Sequence, residues 1–122
     1  PILEAMACGK IVITTAVAGM SEYVTHQNAL VVGTLGTELA HDGVFFHGQG
    51  HWHIPKMLVS VGDDSLSQRI AQAYAAAQEM LRSGKPFPAC EAAVGTAQRF
   101  SWDNAARQLV HALGRLEDPR SS

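Results

Sequence analysis

The segment that most constrains the fold is the run KIVITTAV at residues 10–17. Its β-branched and apolar residues are typical of a strand that is buried in a parallel sheet. A second apolar run, ALVV, occupies residues 29–32, and between the two runs Gly19 favours a tight turn and Ser21 another short helix. Strand, short helix and strand at this spacing predict a βαβ unit with parallel strands, and hence an α/β fold.

A short helix is predicted in front of the first strand, over residues 2–8. Its Ala, Met, Leu and Glu residues favour helices, Pro1 suits the first helical position, and Gly9 is a typical residue just past a helix end. The first third of the chain should therefore alternate helices and strands.

A one-sided apolar stripe over residues 66–81 predicts the first of several helices in the second half of the chain. Asp64 or Ser65 can cap its start, and Gly84 is expected to end it. Residues 89–99 are also predicted to be helical, with weaker amphipathicity. The C-terminal part should therefore be helical.

A last helix is predicted to begin after Ser101, which can cap it. Phe100 and Trp102 are interpreted as core anchors that pack this helix onto the rest of the protein. Residues 119–122 are expected to form a flexible tail. The apolar stripe of the last helix comprises Trp102, Ala106, Leu109, Val110, Leu113 and Leu116.

The segment between the two halves is less regular. VFFH at residues 44–47 is predicted to form an extra strand after the turn at Asp42 and Gly43. HGQGHWH at residues 47–53 is predicted to be a loop, and residues 55–61 a short helix that opens with proline. These predictions rest on local turn signals rather than on periodicity.

The histidines of this segment raise the question of a metal site. His47, His51 and His53, with His41 nearby, have spacings that are geometrically possible for metal binding on a loop. No Cys or carboxylate falls within the run to complete a strong pattern, so a polar loop anchored by Trp52 is the favoured interpretation. We expect no metal and no other cofactor.

Composition excludes several classes of function. With 9 basic and 11 acidic residues the net charge is −2, so no general attraction to nucleic acid or to an anionic membrane is expected. No apolar run approaches the roughly 20 residues of a membrane-spanning helix, and no signal peptide is recognisable. Cys8 and Cys90 form no CxxC pair, and free thiols in a reducing compartment explain them better than a disulfide, so we expect a cytoplasmic protein.

Glu4 lies in the first turn of the predicted first helix, beside backbone N–H groups that lack partners within the helix. Such a helix end attracts phosphates, and a carboxylate there can accept hydrogen bonds from vicinal hydroxyls. A nucleoside diphosphate supplies both kinds of group, and open α/β sheets bind such ligands at the carboxyl ends of their strands. The alternative is that Glu4 only complements the helix dipole, worth about 0.3–1 kcal/mol, and for one glutamate taken alone this alternative is preferred.

Four stretches together carry a resemblance to a known family: LEAMACGKIVIT, AGMSEYV, NALVV and, near the end, RFSWDNAARQLVHAL. They resemble the C-terminal nucleotide-sugar-binding domain of GT-B glycosyltransferases, specifically the retaining group 1 family, also called family 4. The resemblance is good over residues 1–32 and 99–113 and loose between them. Ala18 stands where the family carries the first glycine of its G-G-x-x-E step, and Ile11 where it favours proline.

The resemblance implies a partial Rossmann-like α/β fold and a glycosyltransferase, of hexosyltransferase type, that moves a sugar from a nucleoside-diphosphate donor to an acceptor hydroxyl. Glu4 would hydrogen-bond the ribose hydroxyls, and Ile2 and Leu3 would end the loop that approaches the diphosphate. Glu22, expected at the start of the next short helix, would border the nucleotide pocket. These residues form the predicted nucleotide-sugar-binding site, and no catalytic residue is assigned.

The chain is expected to be a fragment, because it begins in mid-pattern and the family's first glutamate would fall before Pro1. Residues 1–118 would then be the C-terminal part of a nucleotide-sugar-binding domain whose partner is the N-terminal domain of the same parent chain. This piece alone is expected to be inactive, and many relatives act at the cytoplasmic membrane face. The alternative is a non-catalytic module or remnant that forms a homo-oligomer through an exposed sheet edge.

Overall fold

The computed structural model describes residues 1–117, so the predicted tail at 119–122 lies outside the described residues. It shows a mixed α/β chain with a helical C-terminal part, as predicted. The elements in chain order are α1 (Ile2–Ala7), β1 (Ile13–Thr14), a 3₁₀ helix (Ala18–Glu22), β2 (Leu30–Val31), β3 (Thr34–Leu39), β4 (His53–Met57), α2 (Leu66–Ser83), α3 (Pro88–Arg99) and α4 (Trp102–Glu117).

The predicted βαβ unit is confirmed as a parallel pair. Ile13 of β1 lies opposite Leu30 of β2, and Thr14 lies opposite Val31, with the 3₁₀ helix in the connection. Each strand is only two residues long, much shorter than the apolar runs that predict them. A ladder extends only where a neighbouring strand supplies partners, and within residues 1–117 each of these strands has one neighbour, which is the other.

The apolar core lies where α1 packs on α3 and where the parallel pair meets them. Met6 of α1 is fully buried at its centre. α1 ends as predicted, because Gly9 adopts a left-handed backbone with φ of 64°. The buried core residues are Met6, Val12, Val24, Ala29, Val31 and Ala93.

α2 begins and ends where the sequence predicts. The hydroxyl of the buried Ser65 accepts a hydrogen bond from the Gln68 N–H at 3.4 Å, and Gly84 ends the helix with φ of 69°. The Arg69 Nε donates to the Val31 carbonyl oxygen at 2.7 Å, which ties α2 to β2. No residue of α2 is buried, so the apolar stripe remains largely uncovered, with exposed side chains at Ile70, Tyr74 and Leu81.

Two predictions for the middle segment are wrong, whereas the predicted loop over 47–53 is confirmed apart from the bridge at His47 and from His53, which begins β4. β3 and β4 form an antiparallel ribbon, and residues 55–61 are not helical, because Pro55 lies in β4 opposite Thr37. A proline is tolerated there since the register shifts between Thr34 and Thr37 and, within residues 1–117, the ribbon has no third strand that would need a backbone N–H at Pro55. In place of a strand over 44–47 there is an isolated bridge between His41 and His47.

The last helix is capped as predicted but packs differently. The Asn104 N–H donates to Ser101 Oγ at 3.2 Å. The interpretation of Trp102 as a core anchor is wrong, since its side chain is 92% exposed. Phe100 is also exposed in part, although its ring contacts Tyr23 at a centroid distance of 5.5 Å. α4 makes no extensive contact with another described element, so its stripe at Leu109, Val110 and Leu113 faces outward.

Ala18, the first residue of the 3₁₀ helix, adopts a left-handed backbone conformation with φ of 49°. An L side chain in this region crowds the backbone, at a cost of roughly 1–2 kcal/mol. Glycine enters the region without this cost, and glycine is the residue that the resemblance predicts at this position. Alanine at this position therefore carries local strain.

Ala18→Gly is expected to raise the free energy of unfolding by about 1 kcal/mol, because the relief of strain exceeds the added flexibility of the unfolded chain. Urea denaturation followed by circular dichroism measures the change. Gly19→Ala is the matched control: a Cβ at Gly19 meets no atom within 4 Å, so stability should stay within about 0.5 kcal/mol of the parent. If Ala18→Gly lowered the free energy of unfolding, the inference of strain at Ala18 would be wrong.

Candidate functional site

Glu4 lines a surface groove of about 390 Å³ between α1 and the junction of α3 with α4. This volume falls in the range of roughly 300–1,000 Å³ that small-molecule sites occupy. The lining is mainly apolar and includes two aromatic rings, one carboxylate and one hydroxyl. The residues are Leu3, Glu4, Ala7, Ala97, Phe100, Ser101, Trp102 and Ala105.

The packing of α1 on α3 positions Glu4. Leu3 packs against the core on one side and lines the groove on the other, so the adjacent Glu4 is held at the groove wall. Ile2 also packs against the core, but it does not line the groove. Phe100, fixed by its contact with Tyr23, forms the opposite side near the start of α4.

The Glu4 carboxylate is ionised at neutral pH. The amino-terminal nitrogen of Pro1 lies 2.7 Å from Glu4 Oε2. The hydrogen bond from this terminal ammonium lowers the pKa of Glu4, and the Glu4 backbone N–H and the ammonium's charge lower it further. A carboxylate in this state accepts hydrogen bonds and donates none, so its ligands must supply donors.

Lengthening the chain before Pro1 is expected to raise the pKa of Glu4, because the Pro1 nitrogen then becomes an amide with neither charge nor hydrogen. A folded-state pKa below the unfolded value adds stability above the unfolded pKa, and this stability is lost as the pH falls through the folded pKa. NMR titration of the Glu4 carboxyl carbon in the 122-residue chain and in the lengthened chain measures the change. Superimposed titration curves would contradict this account of the pKa.

Glu22 lies elsewhere. It is the last residue of the 3₁₀ helix, so its predicted place at the start of a short helix is wrong. It lines a second groove, of about 290 Å³, together with Tyr23, Asn28, Thr96 and Arg99. Among the described residues, the two glutamates of the predicted site therefore line different grooves.

A third, smaller cavity of about 180 Å³ lies beyond the carboxyl ends of β1 and β2, where open α/β sheets bind ligands. Asp64 fills part of this edge: its backbone carbonyl accepts a hydrogen bond from the Gly33 N–H at 2.9 Å. A Cβ added to Gly33 would lie only 1.9 Å from Asp64 Oδ2, so glycine is required for this close approach. The space left there is less than half that of the Glu4 groove.

The histidines of the β3–β4 ribbon do not converge. His41 and His47 face each other across a backbone bridge, and His53 Nδ1 lies 3.2 Å from the His51 carbonyl oxygen. Within residues 1–117, no three histidine, cysteine or carboxylate side chains are grouped so that they could hold a metal ion. The ribbon therefore offers exposed imidazoles and aromatic rings rather than a metal centre.

Residues 1–48 match the family model of the glycosyl transferases group 1. The match supports a group 1 glycosyltransferase domain. A search of curated proteins and a search of solved structures each gave no significant match. Within residues 1–117, no helix is both long enough and apolar enough to cross a membrane.

The match to group 1 glycosyl transferases includes α1, β1, the 3₁₀ helix, β2 and β3, and hence every residue of the predicted site. It ends within the β3–β4 ribbon, so the wall of the Glu4 groove that α3 and α4 contribute lies outside it. Sequence reasoning missed the position of Trp102 in this wall. The available signal was the sequence FSW, which puts an aromatic residue on each side of the helix cap, but periodicity does not reveal whether a stripe is covered.

Proposed function

We propose that this chain is the nucleotide-sugar-binding part of a retaining GT-B glycosyltransferase of family 4. The intact enzyme would be a hexosyltransferase that moves a sugar from a nucleoside-diphosphate donor to an acceptor hydroxyl in the cytoplasm. The observation that carries the proposal is that Glu4, within the residues matching the group 1 family model, lines a groove of suitable size. We propose no metal and no other cofactor for this step.

Glu4 is proposed to bind the ribose of the donor. An ionised carboxylate can accept one hydrogen bond on each oxygen, and the two hydroxyls of a ribose supply two donors at matching spacing. Each hydrogen bond to a charged group contributes roughly 1.5–3 kcal/mol when formed away from water. Ile2 and Leu3 precede Glu4 in α1, and the diphosphate side of the ligand is proposed to lie at this end of the helix.

The 122 residues alone are expected to bind donor weakly and to transfer no sugar. Among the described residues that line the groove, Glu4 is the one charged side chain, so the lining offers no cation to the diphosphate leaving group. In family 4 relatives catalysis would depend mainly on positioning and leaving-group stabilisation, which require more of the site. A partner N-terminal domain of the same parent chain is proposed to supply the acceptor side.

Glu4→Gln is expected to weaken nucleotide-sugar binding by about 10-fold or more, because a neutral amide accepts weaker hydrogen bonds than a carboxylate. NMR chemical-shift titration with UDP-, GDP- and ADP-sugars up to millimolar concentration measures the dissociation constants. Glu91→Gln is the matched control, since Glu91 is exposed on α3 and lines none of the three grooves described above. The Glu91→Gln variant should bind sugar nucleotides with the same affinity as the unmutated 122-residue chain.

Two results would contradict the proposal. One is that no sugar nucleotide changes the NMR chemical shifts of the protein. The other is that the Glu4→Gln variant and the unmutated 122-residue chain bind with equal affinity. Tight binding or sugar transfer by the 122 residues alone would contradict only the expected inactivity.

A homo-oligomeric, non-catalytic module is the second candidate. The observation that favours it is the β3–β4 ribbon, in which every residue of both strands is exposed and the outer edge of each strand is unpaired within residues 1–117. Light scattering coupled to size-exclusion chromatography measures the mass in solution and so distinguishes the two candidate functions. A stable dimer that binds no sugar nucleotide would support this candidate over the first.

A further inference from the structure

Trp102 presents a free aromatic face in the groove that Glu4 lines. Its side chain is 92% exposed although it is one of the largest apolar groups in the chain. It is the first residue of α4, and the Ser101 cap that fixes the start of this helix immediately precedes it. The backbone that carries the indole is therefore held, while the ring itself lies uncovered.

The charge of the groove restricts what can occupy it. Glu4 is the one charged side chain among the described lining residues, and it is an acceptor of hydrogen bonds. A phosphate placed against this carboxylate would meet a like charge, which is unfavourable at short range. The Pro1 ammonium, 2.7 Å from Glu4 Oε2, offsets that charge in the 122-residue chain, but Pro1 is not among the lining residues and its nitrogen becomes a neutral amide when the chain is lengthened. A neutral group that carries hydroxyl donors and a flat apolar ring would satisfy both Glu4 and Trp102. In a sugar nucleotide that group is the nucleoside.

The size of the groove also favours a nucleoside as its occupant. A volume of about 390 Å³ is at the lower end of the small-molecule range. The walls come from α1 and α3, which pack on each other, and from the first turn of α4, whose start is fixed by the Ser101 cap. Phe100 is held by Tyr23, so one wall keeps its shape when the groove is empty. A preformed aromatic wall lowers the entropy cost of binding a planar ring.

We infer that the indole of Trp102 is the stacking platform for the base of the sugar nucleotide whose ribose Glu4 binds. The inference rests on the proposed function and adds to it the subsite for the base. Stacking of a base on an aromatic side chain tolerates any base, so this contact contributes affinity rather than selection among uracil, guanine and adenine. Selection of the base would have to come from hydrogen bonds elsewhere.

The two tryptophans of the chain, Trp52 and Trp102, allow a direct test. Trp52→Phe leaves Trp102 as the sole indole, and nucleoside diphosphates are expected to quench its fluorescence with the dissociation constant found by NMR. Ribose 5-phosphate, which lacks a base, should leave the fluorescence unchanged. Trp102→Phe leaves Trp52 as the sole indole, in the segment that joins β3 to β4, and should show no quenching by either compound.

Trp102→Ala is expected to weaken binding of UDP, GDP and ADP by about 5- to 150-fold, and to leave ribose 5-phosphate binding unchanged. Trp102→Phe should recover much of the lost affinity, because phenylalanine also stacks. Leu113→Ala is the matched control on the same exposed stripe of α4, outside the groove, and should not change affinity. Since Trp102 is exposed, circular dichroism should show all three variants folded.

The failures of the two proposals are distinguishable. If nucleoside diphosphates bind the parent but bind Trp102→Ala equally well, the base platform is wrong and the proposed function stands. An equal loss of affinity in Leu113→Ala and Trp102→Ala would also overturn the base platform. The effect would then belong to the whole apolar stripe of α4, as expected of a surface that another protein segment covers. If no nucleoside diphosphate binds the unmutated 122-residue chain, both proposals are wrong.

Discussion

Met6→Ala is expected to lower the free energy of unfolding by about 2–5 kcal/mol, the largest effect of a single substitution that we predict. The Met6 side chain has an exposed fraction of 0% and lies at the centre of the core. Truncation to alanine removes buried apolar atoms and leaves a cavity that α1 and α3 can close only in part. Because a chain of this size is marginally stable, this loss is a large share of its total stability.

Met57→Ala is the matched control for this substitution. Met57 lies on the β3–β4 ribbon with an exposed fraction of 37%, so the same truncation there should cost less than about 1 kcal/mol. Urea denaturation followed by circular dichroism at 222 nm gives both values, and a Met6→Ala chain unfolded without urea also agrees with the prediction. Equal midpoints for the two variants would show that the α1–α3 core does not hold the fold.

Asn28→Ala is expected to cost about 2–4 kcal/mol. Asn28 is 3% exposed, and its side chain makes three hydrogen bonds, two within the segment before β2 and one that joins this segment to α3. Its Oδ1 accepts from the Thr25 N–H at 2.8 Å, and its Nδ2 donates to the Tyr23 carbonyl at 2.7 Å and to Thr96 Oγ1 at 2.9 Å. Removing the amide leaves buried polar groups without partners, at roughly 1–3 kcal/mol each before relaxation and hydration.

A double-mutant cycle with Thr96→Val isolates the longest-range of these bonds. Thr96→Val keeps the shape of the side chain and removes the hydroxyl, so the coupling with Asn28→Ala should be about 1 kcal/mol. Gln27→Ala, next to it in sequence and exposed, should change stability by less than about 0.5 kcal/mol. A loss below 1 kcal/mol for Asn28→Ala would contradict the role of this network.

Both sites matter for the groove because α1 and α3 form two of its walls. Met6 holds the inner face of α1, while Asn28 fixes α3 through Thr96, one turn before the end of the helix. Neither side chain lines the groove itself. Partial loss of either contact should therefore weaken the proposed nucleotide binding, because the α1–α3 contact becomes looser while no ligand contact is removed.

Elements with strong local signals were predictable from the sequence. The capping hydroxyl of Ser65 and the left-handed Gly84 bound α2, Gly9 ends α1, and two apolar runs give the parallel pair. The β3–β4 ribbon was missed because Pro55 reads locally as a helix start, whereas cross-strand pairing with residues about 20 positions earlier decides its conformation. No local pattern contains that information.

In the candidate site, too, some features were predictable from local sequence signals and others were not. The sequence by itself determined that Glu4 lies in the first turn of a short helix between a proline and a glycine stop, since helix signals act within a few residues. Only the tertiary structure decided that Trp102 stays exposed and shares a groove with Glu4, and that Glu22 lines another. An apolar stripe specifies a surface that must find a partner, but the partner is set by how distant helices pack, which periodicity along one helix does not encode.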